Sequence, residues 1–459
     1  MQQERSRMLG EMPMRKLVPT VSVPIMISML IQALYNVVDS IFVAKFDPDA
    51  LTAVSLANPM QMLMISLSIG MAVGVNSLMA RRLGEKQPQA SRQASWNGFL
   101  IQLCGMLLFL LVGIFLPEWF IGLFSDNPVI QRLGGAYLRI CCCGCLGVFI
   151  SVLMERMLQC TGNTIYSMIT QMSGAVTNLI MDPILIFGYL GAPRMGIEGA
   201  ALATVMGQWV SMIVGFLLNQ RFNPELRIST RDCRIQGRVI KEILSVGLPS
   251  TIMSAIGSVM TTSMNKILMT YGEKAVSVMG VYFKLQSFVF MPVFGLSNGL
   301  VPILGYNYGA RNRRRIYEAI RVGLKIALGI MLVGMLLFML LPERLMSLFE
   351  SGEAGELTEI GVVALRTISL HFLLAAVCIT LSTTFQAIGR GVYSMIISVC
   401  RQLLVLIPAA LILSALGGLN AIWYAFIIAE VASLALCLTF FRYCDRKYLK
   451  TMDDGEGYA

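Results

Sequence analysis

Twelve long apolar segments constrain this chain more than any other feature of its sequence. Each is about 20 residues or longer, the length that an α-helix needs to cross a hydrocarbon layer of about 30 Å. Hydrophobic residues fill 56% of the 459 positions and charged residues only 14%, which is typical of integral membrane proteins. Long solid runs favour helices over a transmembrane barrel, whose strands alternate in polarity. The segments lie near 17–43, 51–80, 94–116, 128–153, 164–190, 196–219, 243–269, 276–306, 317–341, 357–387, 392–416 and 420–441.

Lysine and arginine are distributed unevenly between the two sets of loops. Basic groups such as 81–86, 311–315 and 442–450 fall on one side, whereas the other side carries mostly acidic residues. Because basic residues concentrate in short cytoplasmic loops, we predict a multi-pass protein of the plasma (bacterial inner) membrane with both termini in the cytoplasm. This topology accounts for the net charge of +10, and no nucleic-acid partner is expected.

An internal repeat relates the two halves of the chain. At one constant offset, which we call the repeat offset, the matching positions include Pro24 and Pro249, Gly70 and Gly295, Gly74 and Gly299, Gly84 and Gly309, and Pro117 and Pro342. Each copy contains six segments, so both copies enter the membrane from the same side, as in transporters built from parallel repeats.

The repeat defines the predicted architecture. We expect an all-α polytopic membrane protein with twelve transmembrane helices in two six-helix bundles related by a parallel internal repeat. The predicted divisions are an N-terminal lobe (1–220), a cytoplasmic linker (221–241) and a C-terminal lobe with a basic cytoplasmic tail (242–459). Such a unit is expected to function as a monomer within the lipid bilayer.

Two carboxylates, Asp39 and Asp182, lie inside apolar segments of the first copy. An ionisable group at membrane depth costs several kcal/mol and usually serves ions, protons or cationic ligands. The repeat places apolar Met264 opposite Asp39 in the second copy, and apolar Ile407, or Ala409 in the other register, opposite Asp182. Residue counting along each segment places both acids in the outer half of the membrane. There they could form one site that binds H⁺ or Na⁺. The alternative is structural pairing with a cation such as Arg139.

Polar residues accompany each carboxylate on its own helix face. Gln32 and Asn36 precede the first acid by seven and three residues, and Asn178 precedes the second by four. Pro24 and Pro183 interrupt the same two segments and are candidate hinges, with plain packing as the alternative.

The second copy supplies further cavity candidates. Methionine adapts to varied ligands, so we include two of them in a predicted substrate cavity formed by Gln32, Asn36, Met260, Met264, Gln286, His371 and Arg401. His371 could instead be a packed, hydrogen-bonded core residue, and Arg401 could pair with Glu430 structurally. With one histidine and no metal-binding motif, we predict no enzyme activity, no catalytic residues, no metal site and no cofactor.

Several stretches together resemble the multidrug and toxic compound extrusion (MATE) family, in particular its MepA-like branch. The resemblance covers nearly the full chain and rests on LYNVVDSIFVAKF (34–46), MDPI (181–184), MGIEGAALATV (195–205), FVFMPVFGLSNGLVPILGYNYGARN (288–312) and RQLLVLIP (401–408).

The resemblance implies a V-shaped pair of bundles that exports drug-like, mostly cationic molecules in exchange for H⁺ or Na⁺. It places the family's cation site at Asp39, Asn178, Asp182, Tyr137 and Thr204, with bending at Pro24 as a coupling step. The segment 250–266 lacks the acidic residue that one branch carries there, so no second-lobe sodium site is implied. A lipid-linked oligosaccharide flippase of related architecture is the alternative, which Lys284, Arg366 and Arg401 would suit.

Overall fold

The computed structural model describes residues 6–46, 48–226, 234–349 and 355–452 of the chain, and the side chains of 35–46, 48–51 and 356 lie outside that description. The first half contains α1 (Arg7–Glu11), α2 (Met14–Phe46), α3 (Pro48–Gly84), α4 (Pro88–Phe115), α5 (Pro117–Gly122), α6 (Pro128–Cys143), α7 (Leu146–Cys160), α8 (Thr164–Phe187) and α9 (Ile197–Phe222). The second half contains α10 (Gly237–Met269), α11 (Glu273–Gly309), α12 (Arg313–Leu340), α13 (Pro342–Ser347), α14 (Glu356–Ser369), α15 (Phe372–Ala387), α16 (Gly391–Val399), α17 (Leu406–Ile422) and α18 (Tyr424–Cys444).

The number of membrane spans agrees with the sequence. Within the described residues, nine helices are long and apolar enough to cross a membrane, and two bent helix pairs qualify as one span each. Helix α8 has 24 residues and the length of a span, and it carries the polar residues Gln171, Asn178 and Asp182. Counted with α8, the twelve predicted spans are confirmed, and α8 carries one of the candidate carboxylates.

The two bent spans occupy matching positions in the two repeats. Helices α6 and α7 meet at 45°, and α14 and α15 meet at 48°. The breaks fall after Cys143 and Ser369, inside the continuous apolar runs that predict single segments. Hydropathy cannot reveal such a bend, because the residues on both sides of it remain apolar.

The glycines that the repeat aligns form the contact between the lobes. A Cβ added to Gly70 of α3 would lie 2.7 Å from Thr251 Cα, and one added to Gly295 of α11 would lie 2.6 Å from Met26 Cα. Met26 and Thr251 are themselves a matching pair at the repeat offset. The repeat therefore relates the α3–α10 contact to the α11–α2 contact. The interface is pseudo-symmetric and self-complementary, like the interface of a twofold dimer.

The same relation holds one helical turn further along. A Cβ at Gly299 would meet Ser22 Cα at 2.9 Å, and one at Gly74 would meet the Gly247 backbone nitrogen at 2.9 Å. Small residues at these points let α2 pack on α11 and α3 pack on α10.

Hydrogen bonds between the lobes gather at one end of the molecule. We call this the basic end and define it by residues 81–88 and 309–315 together with both ends of the described chain. Arg315 donates to the carbonyl oxygens of Leu9 (3.1 Å) and Met12 (2.8 Å), and Asn307 donates to Leu9 O at 3.0 Å. Ser77 donates across the interface to Gln386 O at 2.6 Å. The lobes are thus joined at the basic end.

The predicted linker falls between α9, which ends at Phe222, and α10, which begins at Gly237. Residues 227–233 lie outside the description, and the domain boundaries at 220 and 242 stay a prediction. Helix α2 packs into the core of the second half: Leu17, Val18 and Val21 are fully buried in the same core cluster as residues of α10 to α18.

Candidate functional site

Asp182 is a buried carboxylate within a membrane span, in the last third of α8. Its side chain has no exposed surface, and Asn178, one turn earlier in α8, is 2% exposed. The amide of Asn178 also reaches α9, where it lies within hydrogen-bonding distance of Thr204. The structure therefore brings together three of the predicted site residues: Asn178, Asp182 and Thr204.

The Asn178 amide has one orientation that satisfies both neighbours. In that orientation its NH₂ donates to Asp182 Oδ2 at 3.0 Å, and its carbonyl oxygen accepts from the backbone N–H of Thr204 at 3.1 Å. An ionised carboxylate has no proton to donate and can only accept hydrogen bonds. A donor such as the Asn178 amide is therefore its expected partner. Asn178 thus positions the carboxylate and ties it to the next helix.

Small residues explain why α9 comes so close to α8. A Cβ on Gly207 would lie 2.7 Å from Gly174 O, and one on Gly174 would lie 2.9 Å from Gly207 O. Glycines therefore let the two helices pack backbone to backbone. Thr204 lies one turn before Gly207 on α9, which places its hydroxyl and amide beside Asn178.

Two further first-lobe candidates lie on helices that pack against α8 or α9. Tyr137 of α6 is 5% exposed, and its hydroxyl donates to Gln61 Oε1 of α3 at 3.5 Å. Sequence reasoning missed Gln61; an amide in an otherwise apolar run was the available signal. Gln32 is half-buried on α2, the helix that packs against α8.

Asp39 and Asn36 belong to the helical part of α2, but their side chains lie outside the described residues. Their roles stay predictions. Arg139, the cation that could have paired structurally with the two acids, has another partner. Its Nη2 lies 3.1 Å from Glu118 Oε1 on the surface. The structure therefore gives Arg139 a structural pairing away from α8.

The two candidate hinges lie within helices. Pro24 falls inside α2, between Ser22 and Met26, the two points at which α11 packs on this helix. Pro183 follows the buried carboxylate inside α8. Whether either proline bends during function stays a prediction.

The second-lobe candidates are mostly packed rather than open. Met264 is fully buried in the core, and Met260 packs against the same cluster. Gln286 is half-buried on α11. Their assignment to a substrate cavity remains a prediction.

His371 lies among aromatic rings. It is 4% exposed, its Nδ1 is 2.5 Å from Ile368 O, and the rings of Phe290, Phe372 and Phe426 lie 5.2–6.1 Å away. A backbone hydrogen bond in an aromatic shell matches the alternative of a packed core histidine.

Arg401 forms the ion pair that the sequence allowed. Its Nη1 lies 3.2 Å from Glu430 Oε2 of α18, and the Glu430 side chain is 3% exposed. Arg401 stands in a six-residue π-helical turn, Cys400–Val405, that interrupts the eleventh span. Such turns often occur at functional positions. Among the described residues, Glu430 Oε1 has no hydrogen-bond partner.

Twelve spans in two joined lobes, with a buried carboxylate held on one of them, define a polytopic membrane transporter. The sequence model of the MatE family matches residues 24–184 and 249–412, two blocks that begin at the matching prolines Pro24 and Pro249 of the repeat. Because these blocks cover well over half of the chain, the protein belongs to the MATE family of multidrug efflux transporters.

Relatives and solved structures agree over the whole chain. The multidrug export protein MepA of Staphylococcus aureus is 24% identical over 459 residues and covers 100% of both chains. A crystal structure of MATE in complex with MaL6 superposes with a TM-score of 0.91 at 25% identity and covers 97% of this chain and 99% of its own. An outward-facing multidrug resistance MATE transporter gives a TM-score of 0.90 at 25% identity, over 96% and 98%. The resemblance stated from the motifs is therefore confirmed.

Proposed function

We propose that this transporter is an antiporter that exports drug-like, mostly organic-cation compounds in exchange for H⁺ or Na⁺. It would do so by alternating access from the plasma membrane, with both termini in the cytoplasm and the monomer as the working unit. The single observation that carries the proposal is the fully buried Asp182, held by Asn178 within a membrane span. The named relatives export multiple drugs, which supports the substrate class.

Burial makes the carboxylate suitable for exchange. A buried carboxylate is costly when it is ionised without a partner, so it favours a bound cation or a proton. An incoming cation neutralises it, and departure of that cation leaves a charge that must be neutralised again. Asp39 is the proposed second member of this site on the adjoining helix α2. Two acids that share one cation would couple ion binding to the packing of α2 against α8.

The lobe contact supports the proposed conformational cycle. The basic end is closed by backbone packing and by the hydrogen bonds of Arg315, which describes one of the two states that alternating access requires. Pro24 lies where α2 contacts α11, so bending there would change the contact between the lobes. This is the proposed route from the ion site to the interface.

The flippase alternative loses support from the three cations that suggested it. Arg401 pairs with Glu430, Arg366 Nε donates to Met339 O at 3.3 Å, and Lys284 Nζ lies 5.9 Å from the Phe349 ring centroid. A cavity for a phosphate head group would need these charges facing the ligand. Each instead contacts a group of its own lobe.

A binding competition separates the two functions. Purified full-length protein should bind a fluorescent organic cation such as ethidium, and acidification or added Na⁺ should weaken that binding. Asp182→Asn should remove the ion dependence, whereas Asp126→Asn, at an exposed loop position, should leave it unchanged. Binding of a polyprenyl-phosphate lipid in place of ethidium would contradict the antiporter proposal.

A further inference from the structure

A basic cleft lies between the first and ninth spans at the basic end. Its volume is about 660 Å³, and its wall is formed by Arg15 of α2 and by Arg314, Arg321 and Lys325 of α12. The cleft is separate from Asp182 and from the second-lobe ion pair, and the proposed transport function does not use it. We propose that this cleft binds the phosphate of an anionic phospholipid from the membrane leaflet at the basic end.

The charge of the cleft is unbalanced. Arg15, Arg314, Arg321 and Lys325 are all exposed, and none of them forms an ion pair with a carboxylate in the described part of the chain. Glu318 is the acidic residue on the same wall. Four cations around one carboxylate repel one another, and a bound anion relieves that repulsion.

The nearest further acid is already engaged. The hydroxyl of Tyr317, which also lines the cleft, donates to Asp445 after α18, and Lys450 Nζ lies 3.5 Å from the same carboxylate. The Arg313 guanidinium lies 5.4 Å from the Tyr317 ring centroid. These contacts fix the cleft wall and leave its cations available to an external anion.

The spacing of the cations matches the shape of a lipid. Arg314, Arg321 and Lys325 recur at intervals of seven and four residues, so they share one face of α12 and span about 16 Å along it. Arg314 lies in the first turn of the helix, where the helix dipole also favours an anion. Half-buried Val322 and Ile326, which follow Arg321 and Lys325 directly, also line the cleft.

The cleft therefore combines cationic groups with apolar side chains. Arginine binds phosphate oxygens in pairs, and basic pockets between spans on the cytoplasmic side are suited to acidic head groups. A free phosphate ion could use the arginines but would leave the apolar side chains without a partner. A phospholipid would use both, with its acyl chains along Val322 and Ile326.

The bound lipid would also join the two lobes. Arg15 and Pro19 come from α2, whereas the remaining wall comes from α12 of the second lobe. Arg315, the neighbour of Arg314, holds the carbonyl oxygens of Leu9 and Met12 directly beside the cleft. If the lobes separate here, as the proposed alternating access requires, the cleft divides. An anionic lipid would therefore favour the state that is closed at the basic end.

Binding is tested on purified full-length protein with dioleoylphosphatidylglycerol, dioleoylphosphatidylcholine and inorganic phosphate as separate probes. Native mass spectrometry measures retained lipid, and thermal unfolding measures stabilisation. We expect phosphatidylglycerol to be retained and to raise the unfolding temperature, and the other two probes to do neither. The double variant Arg314→Gln/Arg321→Gln should bind phosphatidylglycerol about tenfold or more weakly, because each basic residue near the surface contributes about 1 kcal/mol.

Two controls make the result decisive. Arg442→Gln/Arg446→Gln removes two exposed arginines at the same end of the molecule and should bind like the wild type. Lys325→Gln provides a milder variant if the double variant fails to fold. Equal stabilisation by inorganic phosphate, or undiminished lipid retention in the folded cleft variants, would overturn the proposal. Asp182→Asn should bind the lipid normally, so failure of the antiport proposal would be seen separately.

Discussion

The backbone of Gly309 packs directly on the backbone of Arg81, so that a Cβ added at Gly309 would lie 2.9 Å from the Arg81 carbonyl carbon. The repeat supplies the mirror contact, in which a Cβ at Gly84 would lie 2.8 Å from the carbonyl carbon of Tyr306. Arg81 and Tyr306 match at the repeat offset, as do the two glycines. Closure of the basic end therefore depends on two glycines that no larger residue can replace without moving a helix.

Gly309→Ala should disfavour this closed state. The added methyl group meets backbone rather than a flexible side chain, and such overpacking costs about 1–3 kcal/mol. We expect a lower unfolding temperature and faster labelling of a cysteine introduced at the basic end. Gly329→Ala is the matched control, because a Cβ there has no atom within 4 Å and alanine favours the helix. Equal behaviour of the two variants would contradict the proposed tight contact.

Asn178→Ala should reduce ion-driven export by more than its loss of stability explains. It removes the donor to Asp182 and the link to Thr204, and loss of a buried partner costs about 1–3 kcal/mol. Asn219→Ala removes another buried asparagine, which donates to Met154 O and Gly215 O. Both variants should unfold at lower temperature. Only Asn178→Ala should reduce ion-driven export, measured in proteoliposomes with matched amounts of folded protein.

The Arg401 and Glu430 pair should behave as a structural unit. Removal of one partner leaves a buried charge, which costs about 3–5 kcal/mol. Arg401→Gln should therefore destabilise strongly, and the double variant Arg401→Gln/Glu430→Gln should lose less than the sum of the single variants. Thermal unfolding measures this coupling. Additive losses, together with a changed affinity for organic cations in Arg401→Gln, would instead support the predicted cavity role of Arg401.

Periodicity and repetition in the sequence predict most of the fold. The apolar runs predict the spans, and the repeat offset predicts which glycines correspond. The sequence alone does not show that Gly70 packs on the other lobe at Thr251, because a repeated spacing does not state which backbone lies opposite. The bends after Cys143 and Ser369 are also invisible, since apolar side chains continue through both breaks.

The candidate site is predicted in a similar way. The interval of four residues places Asn178 and Asp182 on one face of α8, and the structure finds them in contact. Thr204 lies 26 positions from Asn178, so local pattern cannot connect them; the family resemblance supplied that residue. Arg139 is the opposite case. The sequence allowed it to pair with a buried carboxylate, but its guanidinium lies at the surface beside Glu118.

Substrate-induced ion release tests the central claim most directly. Organic cation is added to detergent-purified protein, and released protons or bound Na⁺ are measured for wild type, Asp39→Asn, Asp182→Asn and the double variant. Each single variant should fall below about a tenth of the wild-type release, and the double variant should be little worse, because acids that share one cation act together. Met264→Leu and Ile407→Leu, at the matching second-lobe positions, should retain release. Wild-type release in folded Asp182→Asn, or its loss in Met264→Leu, would contradict the assignment of ion exchange to the first lobe.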